Sequence, residues 1–290
     1  MGRYRYAKTH KGRILFLWPF YAALCGDLNM IGYRDLDKGF SDLGLNQKTP
    51  IIVHVASEHF ETIRGGIETL IGAITAHTYA LVTPAFTYRT MLIPEKGPDK
   101  NGIAYGSGRQ ANEMIEAYNP DMPPDETLGD FPVIFNHLPG VRRSKHPILS
   151  FYGVHAEEYL DTQTIYDPLA VINALMSNDG IVLLINVEQT ANTCIHVGEQ
   201  LAKRRSFVRW ALSYNGMVEC PNFPGCSSGF NAINAATESF CGKFQLAGLD
   251  IKAFPLRDLV NTARTMIETD PNALLCQRSD CERCNAIRMA

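Results

Sequence analysis

The sequence predicts an α/β protein of three layers, α/β/α, built on a mixed, largely parallel central sheet with a smaller accessory strand and loop region. Three observations lead there. Strand-like and helix-like segments alternate from about residue 50 onward, with no internal repeat or low-complexity tract. The strand candidates are short apolar runs such as PIIVHVAS and GIVLLINV, of the kind a buried sheet requires. The chain of 290 residues, 46% hydrophobic and 20% charged, can bury a substantial core, which excludes a disordered or fibrous class.

At the N-terminus a basic stretch, MGRYRYAKTHKGR, precedes the apolar ILFLWPFYAALC (Ile14 to Cys25). Its length is that of a signal peptide, but Pro19 and the aromatics before it interrupt an h-region. We therefore read residues 1–38 as an N-terminal extension packed onto one principal domain, 39–290. No other segment approaches the ~20 apolar residues that span a bilayer. A net charge of -3 gives no electrostatic reason to expect nucleic acid or an anionic membrane as partner. Eight cysteines in a chain this long do not make a disulfide scaffold, and they read as reduced thiols in the cytoplasm.

PIIVHVAS is expected as a buried strand, GGIETLIGAITAH as a helix with Ile67, Leu70, Ile71 and Ile74 on one face, and YALVTPAF as a second strand ended by Pro84. Together they form a βαβ unit. The Pro- and Gly-rich stretch from Ile93 to Asp130 reads as a long excursion of the kind that carries a binding surface. PILSFYGV follows as a strand, DPLAVINALMS as a helix with Pro168 in its first turn, GIVLLINV as a core strand, and TCIHVGEQLAKRR as a helix. RSFVRWALSYNGMVEC alternates like one exposed antiparallel strand. A helix from Ser228 to Phe240, a strand near GLDIKAFP and a helix PLRDLVNTARTMIETDP close the fold.

Several motifs offer chemistry beside a plainer reading. GSGRQA (Gly106 to Ala111) imitates a dinucleotide fingerprint but follows no strand, and GCSSGF lacks the frame of a nucleophile elbow. Gly65 and Gly66 open a helix after a strand, where free N–H groups can hold an anion; the plainer reading is a tight turn. Arg142, Arg143, Ser144 and His146 precede a strand and suit either a phosphate clamp or surface salt bridges. His196 and Glu199, three residues apart on the expected helix, share a face, so the carboxylate can orient the imidazole as a base; the plainer reading is a packed histidine. Cys276, Cys281 and Cys284, with Cys220 or Cys226 as a fourth ligand, could hold tetrahedral zinc, although the spacing is irregular and ordinary thiols are the preferred reading.

In order and spacing these pieces resemble the aminoglycoside 3-N-acetyltransferase family, the antibiotic N-acetyltransferases that do not share the GNAT fold. The resemblance runs from about Gly39 to Cys276. It is carried by Val53-His54, by Gly65-Gly66, by Pro84-Ala85-Phe86-Thr87, and by Leu138-Pro139-Gly140-Val141-Arg142-Arg143-Ser144-Lys145-His146-Pro147 with Ser150 and Gly153. Asp167-Pro168-Leu169, Val182-Leu183-Leu184 and Asn192-Thr193 with His196 and Glu199 complete it. The resemblance implies acyl transfer from acetyl-CoA or a related thioester to a small-molecule amine such as an aminoglycoside, an amino sugar or a natural-product intermediate. It makes His196 the general base and Glu199 its partner. His54, Ser57, Gly65, Gly66, Arg143, Ser144, His146 and Thr193 would hold the donor, and Thr87, Glu188 and Asn192 the acceptor.

Two departures bear on the substrates. His54-Val55-Ala56-Ser57 displaces a hydroxyl of the family's H-S-S-L, and Asn186-Val187-Glu188-Gln189-Thr190-Ala191 replaces its G-V-G-H-D, so the donor reading carries over better than the acceptor. A carrier-protein phosphopantetheine thioester is an alternative donor. A non-catalytic thiol or zinc-binding module is the alternative from a different class.

Overall fold

The computed structural model describes residues 30–106, 108 and 112–289. The apolar stretch Ile14 to Cys25 and most of the Gly106 to Ala111 motif lie outside them.

Helix α1 (Tyr33–Asp42) places Leu36 and Phe40, four apart, on one buried face and runs across the boundary expected at residue 38. The βαβ unit follows as expected: β1 (Ile51–Val55), α2 (Gly66–Thr75) and β2 (Leu81–Pro84), with β1 and β2 parallel neighbours. The two-residue strand β3 (Met91–Leu92) precedes the excursion, which runs to α3 (Phe131–Phe135). Then come β4 (Val141–Arg143), β5 (Phe151–Val154), α4 (Glu157–Leu160), α5 (Ala170–Ser177), β6 (Ile181–Ile185) and α6 (Ile195–Leu201). The remainder is β7 (Phe207–Ser213), β8 (Gly216–Phe223), α7 (Asn234–Thr237), β9 (Gly242–Leu246), β10 (Leu249–Pro255), α8 (Leu256–Thr269) and α9 (Glu282–Arg288).

The central sheet has the order β4-β5-β2-β1-β6-β10-β9. Its centre, β2-β1-β6, is parallel, and both flanks are antiparallel. Alternation along the strands fills two cores. Ile51, Val53, Leu183 and Ile185 pack with α1, α2 and α3 on one face, and Ile52, Val182 and Leu184 with α5, α6 and α8 on the other. These are the three layers. A separate sheet, β3-β7-β8, is the accessory region.

Local departures from expectation have physical causes. RSFVRWALSYNGMVEC is a hairpin rather than one strand, turning at Tyr214-Asn215 before Gly216, whose φ of 106° a side chain would resist. It is not exposed either: Phe207, Arg209, Trp210 and Ala211 are buried. The Ser228 to Phe240 helix divides into two 3-10 turns flanking the single turn of α7. Pro168 precedes the first turn of α5, whose N-cap is Leu169. The 193–205 helix stops at Leu201, and Lys203 adopts a φ of 55° that no helix continues through.

No helix among the described residues is long and apolar enough to cross a membrane.

Candidate active site

β1 and β6 are parallel neighbours, so the loops leaving their C-terminal ends meet. The contact is direct: the Thr193 backbone N–H, at the start of α6, donates to His54 Nε2 at the end of β1 over 3.2 Å. Asn192 shapes that start, its Oδ1 accepting from the Cys194 N–H (3.1 Å) and its Nδ2 donating to Gln189 Oε1 (2.8 Å). Gly198 lets α6 press on α8, because a Cβ there would stand 2.6 Å from the Ala263 Cβ and 2.9 Å from the Val260 oxygen.

On α6 the expected His196–Glu199 pair forms, with Nδ1 and Oε2 2.6 Å apart. Arg204 Nη1 donates to the other carboxylate oxygen (2.9 Å) and is itself fixed through Nη2 to the carbonyls of Pro271 (2.8 Å) and Ala273 (2.7 Å) beyond α8. All three side chains are at least nine-tenths buried. Burial pushes the Glu199 carboxyl upward, but the attraction and hydrogen bond of His196, then those of Arg204, outweigh it and hold the group below its ordinary value. An ionised Glu199 can only accept, so Nδ1 of His196 carries the hydrogen and a neutral ring presents a lone pair at Nε2. The ring packs edge-on to Phe230, centroids 4.8 Å apart.

His196 lines a cleft of about 650 Å³ together with His54, Thr193, Tyr88, Phe223, Arg209 and Arg283. A second cavity of about 580 Å³ adjoins it, lined by His54, Ser57, Glu58, Glu126 and Asp130. The two share His54, Pro84, Thr127, Leu128 and Ala191. Burial lowers the pKa of His54 to about 3; its ring is neutral, and Nδ1 has no hydrogen-bond partner. Thr127 and Leu128 belong to the Ile93 to Asp130 excursion, which thereby walls the site as a binding loop should.

Of the sequence-predicted residues, His196, His54, Ser57 and Thr193 line these cavities, and Glu199 backs His196. Others do not. Arg143 spends its guanidinium on protein: Nε donates to Ser150 Oγ (2.9 Å), Nη2 to the Ala85 carbonyl (2.6 Å), and Nη1 to the carbonyls of Pro120 (3.1 Å) and Met122. Ser144 Oγ accepts from the Phe151 N–H (2.8 Å), and His146 Nδ1 from the N–H groups of Ile148 and Leu149 (3.1 and 2.9 Å). These residues brace the approach to β5 and line neither cavity.

Gly65 and Gly66, with φ of 85° and 66°, form the tight turn into α2 and also lie outside both linings. Thr87 is fully buried, donating to the Pro147 carbonyl over 2.8 Å. Glu188 is exposed and accepts from Asn231 Nδ2, and Asn192 is consumed in starting α6.

Arg209 and Arg283 are site residues that sequence reasoning missed. Arg209, flanked by the rings of Phe207 and Phe223 at 5.4 and 5.3 Å, comes from the strand expected to be exposed. Arg283 sits on α9, which carries no long apolar period. The one available signal was Asn215-Gly216, which marks a hairpin and would have turned the Arg209 segment inward.

A model of the aminoglycoside 3-N-acetyltransferase family matches residues 52–268. Among curated proteins, aminoglycoside N(3)-acetyltransferase IX of Micromonospora chalcea is 28% identical over 177 residues, covering 57% of this chain and 60% of that protein, less than two thirds of its length. The apoenzyme of aminoglycoside acetyltransferase AAC(3)-IVa superposes with a TM-score of 0.72 at 23% identity, over 91% of this chain and 99% of the other. YokD of Bacillus subtilis gives 0.71 at 20% identity, over 83% and 95%. AAC-IIIb, in a binary structure with CoASH, gives 0.65 at 15% identity, over 83% and 97%. At these identities the structural likeness concerns the fold.

Proposed function

The chain belongs to the aminoglycoside 3-N-acetyltransferase family, and from that premise we propose that it transfers an acyl group from acetyl-CoA or a related thioester to the amine of a small molecule. The observation that carries this reading is the buried His196–Glu199–Arg204 chain, with His196 in the wall of a cleft. A protonated amine has no lone pair with which to attack, so the reaction needs a positioned base. His196 Nε2 takes a proton from the amine as the nitrogen bonds to the thioester carbonyl carbon. The carbon–sulfur bond then breaks, and the imidazolium returns the proton to the departing sulfur, giving amide and free thiol. Glu199 holds Nδ1–H throughout and stabilises the transient positive charge, while Arg204 keeps Glu199 ionised and in place.

The two adjoining cavities suggest a division of labour within the catalytic domain, residues 39–290. His54 and Ser57 take the donor's pantetheine arm in the second cavity, Thr193 meets its thioester end from the His196 cleft, and the acceptor occupies the rest of that cleft. Relatives of known structure hold CoASH, a gentamicin, apramycin or sisomicin, which makes amino sugars the first class to screen. Among the described residues lining this cleft there is no carboxylate, whereas two arginines are present. That charge favours an amine that also carries a carboxylate or phosphate over a polycation.

The test is thiol release from acetyl-CoA against a panel of amines, including aminoglycosides, neutral amino sugars and amino sugar acids or phosphates. His196→Ala should lower kcat by about 10²–10⁴-fold with the fold intact by circular dichroism. An acidic amine should be the better acceptor, with Arg283→Met raising its KM and leaving that of a neutral amino sugar unchanged; Arg209, buried and donating to the carbonyls of Asn101, Val208 and Gly102, contributes its charge from behind the wall. Equal turnover by wild type and His196→Ala would sink the base assignment.

A further inference from the structure

Behind the cleft wall lies a group of side chains that acyl transfer does not use. Cys226, in the loop after β8, and Cys276, Cys281 and Cys284, around the start of α9, bring their sulfurs within 4.8 Å of one another. The cluster is buried, and all four are free thiols. They make a satellite core of their own with Leu275, separate from the two main cores.

We propose that these four cysteines bind one structural zinc ion. Zn–S bonds of about 2.3 Å arranged tetrahedrally put sulfurs about 3.8 Å apart, a small contraction of the cluster as it stands. The Ser228 backbone N–H donates to the Cys226 sulfur over 3.4 Å. Such a donor stabilises a thiolate and fixes its direction, which a metal's second shell requires and a greasy contact does not.

Binding exchanges four thiol protons for one Zn²⁺, leaving the site with two net negative charges; Arg288, whose Nη2 donates to the Cys276 carbonyl, brings a cation beside them. Four protein ligands close the coordination sphere, so the ion is structural and leaves no position for substrate. Cys220, the other fourth ligand the sequence offered, is not part of the cluster.

The site has a consequence for the cleft. Pro224, Gly225 and Ser227 beside Cys226, and Arg283 between Cys281 and Cys284, all line the cavity of His196. Arg283 Nη1 already donates to the Gly225 carbonyl (2.9 Å). Zinc would lock the loop after β8 to α9 and so fix one wall of the acceptor cleft.

The experiment needs no substrate, so its outcome is independent of the acyl-transfer reading. Full-length protein, purified without chelator, is measured for metal by mass spectrometry; one zinc per chain is expected. Replacement by Co²⁺ should give the intense thiolate charge-transfer and visible bands of a tetrahedral tetrathiolate site. Cys281→Ser should lose the metal and melt lower; should that variant not fold, the cobalt spectrum of the wild type decides. Protein that is metal-free as isolated and gives no cobalt bands when titrated in reducing buffer would overturn the proposal, as would two disulfides among the four residues.

Discussion

Glu199 shows how one residue can serve stability and chemistry together. It is buried between a histidine and an arginine, and among the described residues its carboxylate is the one acidic partner either has. Removing the charge leaves Arg204 buried without a counter-ion, which costs about 3–5 kcal/mol. Glu199→Gln should therefore lower the denaturant midpoint substantially at pH 7 and reduce kcat tenfold or more, while KM for the donor changes little. Because the folded carboxyl lies below its ordinary 4.5, the wild type's advantage is fully present above that pH and is lost as pH falls through the folded value. Denaturation at pH 7 and again below pH 4 should show the gap between wild type and variant closing. The His-x-x-Glu spacing was legible in the sequence because both partners lie on one helix; Arg204 was not, since it meets Glu199 from beyond the helix end.

At the scale of elements, legibility followed locality. β1, α2, β2, β6 and α8 stand where period and punctuation put them, because each buries its own apolar face. The edge strand β9, GKFQL, alternates Lys243 and Gln245 outward with Phe244 and Leu246 inward, but over five half-buried residues that period is too short to set it apart; it is held by pairing with β10 and by Phe244 against Phe40, centroids 5.7 Å apart. The arginine of the R-S-x-H-P turn is a similar case. Sequence suggests a phosphate clamp, but Arg143 instead bolts the excursion to the sheet through the carbonyls of Pro120, Met122 and Ala85. Arg143→Met should lower stability by about 2–4 kcal/mol, the cost of leaving buried carbonyls unpaired, with KM for acetyl-CoA unchanged within twofold. A large rise in that KM without loss of stability would restore the clamp.

Over the whole molecule, acid sensitivity is written into two buried neutral histidines. Burial brings His54 down to about 3 and His146 to about 4, against an ordinary 6.5. Above pH 6.5 neither ring distinguishes folded from unfolded chain. Below it the unfolded chain binds protons that the fold refuses, so stability falls until the folded rings protonate near 4 and 3. The expected slope is about 1.4 kcal/mol per pH unit for each histidine. Urea denaturation at pH 7, 6 and 5 should reveal it, and His146→Asn should flatten part of it.

The molecule also separates what must stay from what is free to vary. The proposed base and its supports come from α6 and the segments after α6 and α8, packed on the sheet. The outer walls of the cleft, which we propose meet the acceptor, come from elsewhere: Arg209 from the accessory hairpin, Leu128 from the excursion, Arg283 from α9. Substitutions in these outlying parts can change what is recognised without moving the proton-transfer machinery. In the language of evolvability, this scaffold carries one fixed reaction and an exchangeable reading head, and a mutagenesis library confined to those outlying segments is the economical way to retarget it.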